Sequence, residues 1–271
     1  MRNSNVALLT DFGLEDIYPG VMKGVINSVN PGANIIDLTH SVLPQNVLQG
    51  AFLLYASYRY FPPGTVFCAV VDPGVGSDRR AVAVRTEDYL FVGPDNGILW
   101  PAASDNRILQ IVELTDPQFF LGTVSSTFHG RDVFAPAAAH LSMGTDTASM
   151  GNALETMTEV HFSGFKPSRS VQKVKVVHVD TFGNIILDVR AEDFQSADKP
   201  PVKINRSVIS AYLDHYSAAQ DDTLFFVTSS SGFVEIALKN KSASAKLNLV
   251  PGDTVSVSFL SEGKDQTRAI G

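Results

Sequence analysis

Three polar clusters in this chain have the residue types to do chemistry. Asp11 lies in Thr10-Asp11-Phe12-Gly13, Asp72 opens Asp72-Pro73-Gly74-Val75-Gly76-Ser77-Asp78-Arg79, and His129 stands in Phe128-His129-Gly130-Arg131-Asp132. A carboxylate, a guanidinium and an imidazole together can orient a water molecule and manage its proton. Each cluster alone also has a plain structural use. Asp11 could cap a turn, Asp72-Pro73-Gly74 could be no more than one, and His129 could be a satisfied structural histidine. Gly74-x-Gly76 lacks the third glycine of a dinucleotide-binding loop. There is no Gly-x-Ser-x-Gly nucleophile elbow. Asp11, Asp72, His129 and Asp132 could in principle hold a divalent ion. No His-x-x-x-His or His-Glu-x-x-His pair supports that, and the histidines (His40, His129, His140, His161, His178, His215) are scattered. No metal is therefore expected.

The elements around these clusters place them on one sheet. Val6 to Leu9 is a short apolar strand leading into Asp11. Asp16 to Val29 has the apolar face of a helix, with Asp16 as its expected N-cap and Pro31-Gly32 as its stop. Asn34 to Leu38 is a second strand and Val47 to Tyr60 a second helix. Thr65 to Val71 is continuously apolar, as in a strand buried on both faces of a parallel sheet, and it runs into Asp72. Arg80–Arg85 and Tyr89–Val92 predict a hairpin around Thr86-Glu87-Asp88. Arg107 to Leu114 reads as a strand, and Ala135 to Met143 as an Ala-rich helix after His129. This alternation predicts an α/β N-terminal domain with a largely parallel sheet. In such a sheet ligands bind beyond the carboxyl ends of the strands, where Asp11 and Asp72 lie.

The pattern changes near Gly164-Phe165-Lys166-Pro167-Ser168. Val174–Val179, Asn184–Val189, Leu224–Thr228, Phe233–Leu238 and Thr254–Phe259 are short alternating runs, with one short helical stretch near Ser244–Leu247. They predict a smaller all-β barrel C-terminal domain. The expected domains are 1–165 and 171–271, with the boundary inside 163–171.

Composition sets limits. The chain is 271 residues long, 44% hydrophobic and 18% charged, enough to bury a core. A net charge of -7 without a basic run argues against nucleic acid and is compatible with a cationic small molecule. The single cysteine, Cys68, reads as a small buried core residue. The polar start Met1–Asn5 carries no visible signal peptide, and no membrane-spanning stretch is apparent. A cytoplasmic location without membrane association is expected.

Taken in order, Thr10-Asp11-Phe12-Gly13, Val71-Asp72-Pro73-Gly74-Val75-Gly76 with Arg79, Gly93-Pro94-Asp95-Asn96-Gly97 and Phe128-His129-Gly130-Arg131-Asp132-Val133-Phe134-Ala135-Pro136 resemble the adenosine-forming S-adenosyl-L-methionine (SAM) hydrolases. That family is also called the SAM hydroxide adenosyltransferases, relatives of the bacterial fluorinase and chlorinase. Asp180-Thr181-Phe182-Gly183-Asn184, Ser229-Ser230-Ser231-Gly232-Phe233 and Pro251-Gly252-Asp253 extend the resemblance over nearly the whole chain.

The resemblance implies hydrolysis of SAM to adenosine and methionine, with SAM as substrate and no cofactor. It also implies a homotrimer that binds SAM between the N-terminal domain of one subunit and the C-terminal domain of its neighbour. Asp72, Arg79 and His129 match the set that handles water, and Asp11 the aspartate on the ribose hydroxyls. Asp180 and Ser230 match residues around the methionine end, Phe182 and Asn184 residues near adenine. Tyr216 stands where an aromatic stacks on adenine, and Tyr18 and Glu235 are further substrate-binding candidates. Gln45 occupies a place where the family usually carries an aromatic near the substrate. Halogenases carry tyrosine or glycine at Asp72 and a serine-type halide ligand at Gly130; their long insertion would fall between Arg85 and Tyr89. These departures favour hydrolysis over a halide transferase making 5′-halo-adenosine; a non-catalytic nucleoside-binding module is a separate alternative.

The chemistry suits the residues. A sulfonium leaves as a neutral thioether and needs no general acid. The hard part is desolvating water, whose pKa is near 15.7, and aiming it in line at the ribose C5′. An Asp72 paired with Arg79 would orient the water, so His129 is the expected proton acceptor.

Overall fold

The computed structural model describes residues 4–194 and 199–260, so the ends of the expected domains, at 1–3 and 261–271, lie outside the described residues. The chain forms two compact units, 1–161 and 162–271.

The first unit holds seven strands: β1 (Asn5–Thr10), β2 (Asn34–Thr39), β3 (Val66–Val70), β4 (Ala81–Thr86), β5 (Leu90–Pro94), β6 (Ile108–Leu114) and β7 (Gly151–Leu154). Their order in the sheet is β2-β1-β3-β5-β4-β6-β7. The half β2-β1-β3-β5 is parallel, with Leu8 beside Cys68 and Cys68 beside Val92. The half from β5 through β4 and β6 to β7 is antiparallel, because the Thr86-Glu87-Asp88 hairpin returns the chain beside itself. The sheet is thus mixed, and its parallel half carries the candidate site.

Helices cover both faces. On one, α1 (Tyr18–Val29) and α4 (Ala135–Ser142) pack together over Val6, Leu8, Val66, Cys68 and Val70. Alanines at 137–139 let the α4 backbone approach the sheet closely. On the other face lie α2 (Val47–Ser57) and a short α3 (Trp100–Asp105), with an aromatic cluster of Tyr58, Phe67, Tyr89 and Phe91. Cys68 is fully buried, and that burial pushes its thiol up to about 12, so it is inert.

Local chemistry moved one helix start and put a π-helical turn ahead of another. Helix α1 begins at Tyr18, not at Asp16, and has no side-chain cap. Pro19 in its first turn needs no N–H partner there and sets φ for the helix, which displaces the expected aspartate cap. Helix α4 continues from a π-helical turn, Gly130–Phe134, that includes three residues of the His129 motif. Helix α2 starts as an ordinary capped helix, the Asn46 side chain accepting from the Gln49 N–H at 3.0 Å.

The second unit holds β8 (Gln172–Val179), β9 (Ile185–Arg190), α5 (Ala191–Phe194), β10 (Val202–Ile204), β11 (Ser207–Ile209), β12 (Ala211–Tyr212), β13 (Leu224–Thr228), β14 (Phe233–Leu238), α6 (Ala243–Leu247) and β15 (Thr254–Phe259). The eight strands run β11-β10-β15-β8-β9-β14-β13-β12, and contact between β11 and β13 nearly closes them into a barrel. Alternate residues such as Val174, Val176, Leu187, Ile236 and Val257 fill it. Strands β10 to β12 have two or three residues each, too short to show a period in sequence.

Candidate active site

Strands β1 and β3 are parallel neighbours, so the residues that follow them emerge on one edge of the sheet. Asp11 follows β1 and Asp72 follows β3 by two residues. The loop after Asp72 folds tightly, with Ser77 Oγ donating to the Gly74 carbonyl at 2.6 Å. Gly76 has φ +78°, and a Cβ there would overlap the Ser126 carbonyl oxygen. That contact locks the Asp72–Arg79 loop against the loop leading to His129.

The three water-handling candidates meet. Arg79 Nε donates to Asp72 Oδ1 at 2.9 Å and Oδ2 at 3.0 Å, and Nη2 donates to Oδ2 at 2.5 Å. The pair is largely dry, with Asp72 6% and Arg79 11% exposed. Arg79 also lies over the Phe134 ring, 5.2 Å from its centroid. Its Nη2 contacts His129 Nδ1 at 2.8 Å. A guanidinium only donates, so Nδ1 must accept, and the neutral ring carries its proton on Nε2. The lone pair that would take a proton from water is already engaged, and the geometry gives His129 the work of fixing Arg79. Burial first, and the Arg79 charge second, hold His129 below its ordinary 6.5, against the opposing charges of Asp72 and Asp132.

This gives a pH prediction. His129 is neutral above its lowered pKa, and acidification puts a proton on Nδ1 where Arg79 donates. The acid limb of kcat for the reaction catalysed at this site should fall below pH 6.5. An acid limb well above 6.5 would contradict this tautomer.

A cavity of about 430 Å³ borders the triad, lined by Asp11, Tyr18, Gln45, Asp72, Phe128 and His129 among others. Phe12, Tyr18 and Phe128 form an aromatic wall, Tyr18 meeting Phe128 edge-on at 5.0 Å. Asp11 Oδ2 accepts the Gln45 N–H at 2.8 Å, and the carboxylate, with about four lone-pair sites, keeps acceptor capacity for hydroxyl donors. Burial raises the Asp11 carboxyl above 3.8, the Gln45 N–H pulls it down, and the Asp72 charge adds to the rise.

Gln45 adopts φ +65°, a left-handed backbone, and its N–H points to Asp11. Its contact with Asp11 is therefore through the backbone. Glycine takes that conformation without the roughly 1–2 kcal/mol side-chain penalty, offset by about 0.5–1 kcal/mol of chain entropy. We expect Gln45→Gly to leave stability nearly unchanged and the KM of the enzyme within about twofold. A steady-state titration showing a tenfold rise would instead assign the role to the side chain.

The other sequence-derived candidates lie in the second unit. Asp180 shapes the turn between β8 and β9: Oδ1 accepts the N–H groups of Phe182 and Asn184 at 2.9 and 2.8 Å, and Oδ2 accepts from Asn184 Nδ2 at 3.0 Å. Tyr216 donates to Glu235 Oε1 at 2.6 Å. Burial raises the Glu235 carboxyl, with Tyr216 opposing and the Asp180 charge adding. Phe182 is 79% exposed, so its ring lies outside the barrel core. Ser230 is exposed, while its neighbour Ser229 is buried and braces the turn by accepting the Phe233 N–H at 3.1 Å. The candidates thus form two groups, Asp11, Tyr18, Asp72, Arg79 and His129 in one unit and Asp180, Phe182, Asn184, Tyr216, Ser230 and Glu235 in the other.

Sequence reasoning had quoted two residues without giving them this work. Asn96 Nδ2 donates to the Val71 carbonyl at 2.8 Å, pinning the chain just before Asp72. Asp132 is fully buried, paired with Arg131 and hydrogen-bonded to Ser125, rather than offered to an ion. Among the described residues no three His, Cys, Asp or Glu groups gather where they could hold a metal. No helix among them is long and apolar enough to cross a membrane.

Residues 6–151 match the SAM hydroxide adenosyltransferase N-terminal domain and residues 174–256 the corresponding C-terminal domain. The chain is 36% identical over 255 residues to the (R)-S-adenosyl-L-methionine hydrolase of Salinispora arenicola (strain CNS-205), covering 93% of this chain and 97% of that protein. It is 31% identical over 267 residues to the protein of the same description from Methanocaldococcus jannaschii, covering 94% and 95% of the two chains. An uncharacterized conserved protein of Thermotoga maritima has a crystal structure that superposes with a TM-score of 0.85 at 36% identity, over 93% of this chain and 99% of that one. With both halves matched in order and the paired Asp72, Arg79 and His129 in place, the chain belongs to the SAM hydroxide adenosyltransferase family.

Proposed function

We infer that this protein hydrolyses S-adenosyl-L-methionine to adenosine and methionine, and that Asp72 orients the attacking water. The observation that carries the reading is the Asp72–Arg79–His129 chain, its ion pair largely dry, beside a cavity that also presents Asp11. Arg79 supplies three hydrogen bonds to Asp72, one to Oδ1 and two to Oδ2. A carboxylate has about four lone-pair sites, so Oδ1 keeps one for a water proton. The guanidinium holds that oxygen in a fixed direction, and His129 holds the guanidinium.

The water oxygen then attacks C5′ opposite sulfur. The C5′–O bond forms as the C5′–S bond breaks, and its electron pair returns to sulfur and cancels the sulfonium charge. The proton lost by the attacking water passes to Asp72 and on to solvent. The Asp11 carboxylate accepts the ribose hydroxyls, fixing C5′ relative to the water. Asp180 and Ser230 serve the methionine end, and Phe182, Asn184 and Tyr216 the adenine, with Glu235 bracing Tyr216. The family resemblance extends to a homotrimer with SAM between the N-terminal unit of one subunit and the barrel of its neighbour, an arrangement that would let both groups of residues serve one substrate. Native mass spectrometry giving three chains supports that assembly; a monomer at working concentration sinks it.

Gly130 bears on the choice between water and halide. A Cβ there would stand 3.1 Å from Phe128 and 3.3 Å from Phe12, tighter than ordinary contact. A serine at this place would need the Phe128 and Phe12 rings to give by a few tenths of an ångström. The purified protein incubated with SAM, with and without chloride, should release adenosine and methionine in both cases. A 5′-chloroadenosine product would overturn the hydrolase reading, and adenosine binding without turnover would favour a nucleoside-binding module.

A further inference from the structure

We propose that Asp132 is a positioning residue of this reaction, holding the 125–128 loop in the shape that sets the His129 ring against Arg79. The inference rests on the hydrolase reading of the site. Asp132 lies in the π-helical turn Gly130–Phe134, and that turn rotates its side chain inward, where it is 0% exposed. A buried carboxylate must be paired and hydrogen-bonded. Oδ2 accepts the Ser125 N–H at 2.8 Å and the Ser125 hydroxyl at 2.7 Å. Arg131 Nε donates to Oδ1 at 2.6 Å and Nη2 to Oδ2 at 3.1 Å.

The same residue ties the loop through its backbone. Its carbonyl accepts the Leu121 N–H at 2.9 Å, and its N–H donates to the Phe128 carbonyl at 3.1 Å. Ser125 Oγ passes the constraint forward by accepting the Phe128 N–H at 3.1 Å, one residue before His129. The Ser126 carbonyl beside Gly76 joins this loop to the one carrying Arg79. Asp132 thus reaches the water-handling set without touching it. The charged and polar groups facing His129 are Arg79 and Asp72 from the loop after β3, Asp132 from the turn, and the Ser125 carbonyl.

The decisive variant is Ser125→Ala, which removes the hydroxyl link and leaves the Asp132–Arg131 pair intact. With the loop slack, His129 leaves Arg79 and the partial burial that holds it down. We expect kcat to fall on the order of tenfold, the effect of losing one such hydrogen bond, with KM within about twofold. In the substrate-free protein, the NMR titration of the His129 ring, assigned with His129→Gln, should move up towards 6.5. Ser125→Thr keeps the hydroxyl and should restore both readings. Asp132→Asn, which loses the ion pair, should lower kcat further than Ser125→Ala; if it does not fold, the serine variants carry the test alone. An active wild-type enzyme whose Ser125→Ala form keeps the wild-type kcat and His129 titration overturns the positioning role. A wild-type enzyme that releases no adenosine overturns the hydrolase reading instead, and the NMR titration still judges the geometry.

Discussion

Asp72→Asn should lower kcat for adenosine release by about 10²–10³-fold while KM changes little, at the lower end of what positioned proton-handling groups contribute. Asparagine preserves size and keeps one carbonyl oxygen, but that oxygen is the one Arg79 would claim. The amide nitrogen, turned towards the cavity, would donate to water where an acceptor is needed. Because Asp72 touches the water rather than the nucleoside, the loss belongs in kcat. A steady-state assay by chromatographic quantification of adenosine separates the two constants. A variant within tenfold of wild type would show that water is oriented by something else.

Arg79→Lys should be nearly as damaging, with kcat down by roughly 10²-fold, although the charge is kept. Arg79 makes two kinds of contact at once, the planar fork on Asp72 and a third N–H to His129 Nδ1. A lysine ammonium is a point charge on a flexible stem and cannot serve both partners in one plane. Arg79→Met removes the charge and leaves Asp72, 6% exposed, without a counter-charge. Breaking a buried pair from one side costs about 3–5 kcal/mol, so the first unit should also unfold at a clearly lower temperature. Calorimetry separates the two variants: the lysine form should melt close to wild type with poor turnover, the methionine form should lose both. Full activity in Arg79→Lys would reduce the guanidinium to a charge and remove the reason for its geometry.

Where sequence reasoning succeeded and failed follows from what each residue interacts with. The apolar run before Asp72 read as a strand buried on both faces, and β3 is one. The hairpin at Thr86-Glu87-Asp88 was visible from its turn residues, but the antiparallel path through β6 and β7 depends on long-range pairing that no local pattern encodes. Strands β10 to β12 were missed because two or three residues cannot show alternation. Asp16 looked like a cap only because the constraint imposed by Pro19 was not weighed against it.

At the site, the meeting of Asp72, Arg79 and His129 was anticipated through their matched motifs, while the tautomer was not. Which nitrogen of His129 is engaged depends on where Arg79 Nη2 points, and that is set by packing against Phe134 and Asp72. The left-handed turn at Gln45 has no residue-type signal, since glutamine rarely adopts it. Asp132 was first weighed as a metal ligand, and only the π-helical turn shows that it faces inward to Ser125.

The most direct test of the central claim is hydrolysis of SAM in water enriched in ¹⁸O, with mass spectrometry of both products. The account places solvent oxygen on the ribose C5′, so adenosine should carry the label on its 5′-hydroxyl and methionine should carry none. Unlabelled adenosine, or label appearing in methionine, would contradict attack at carbon by the water that Asp72 holds.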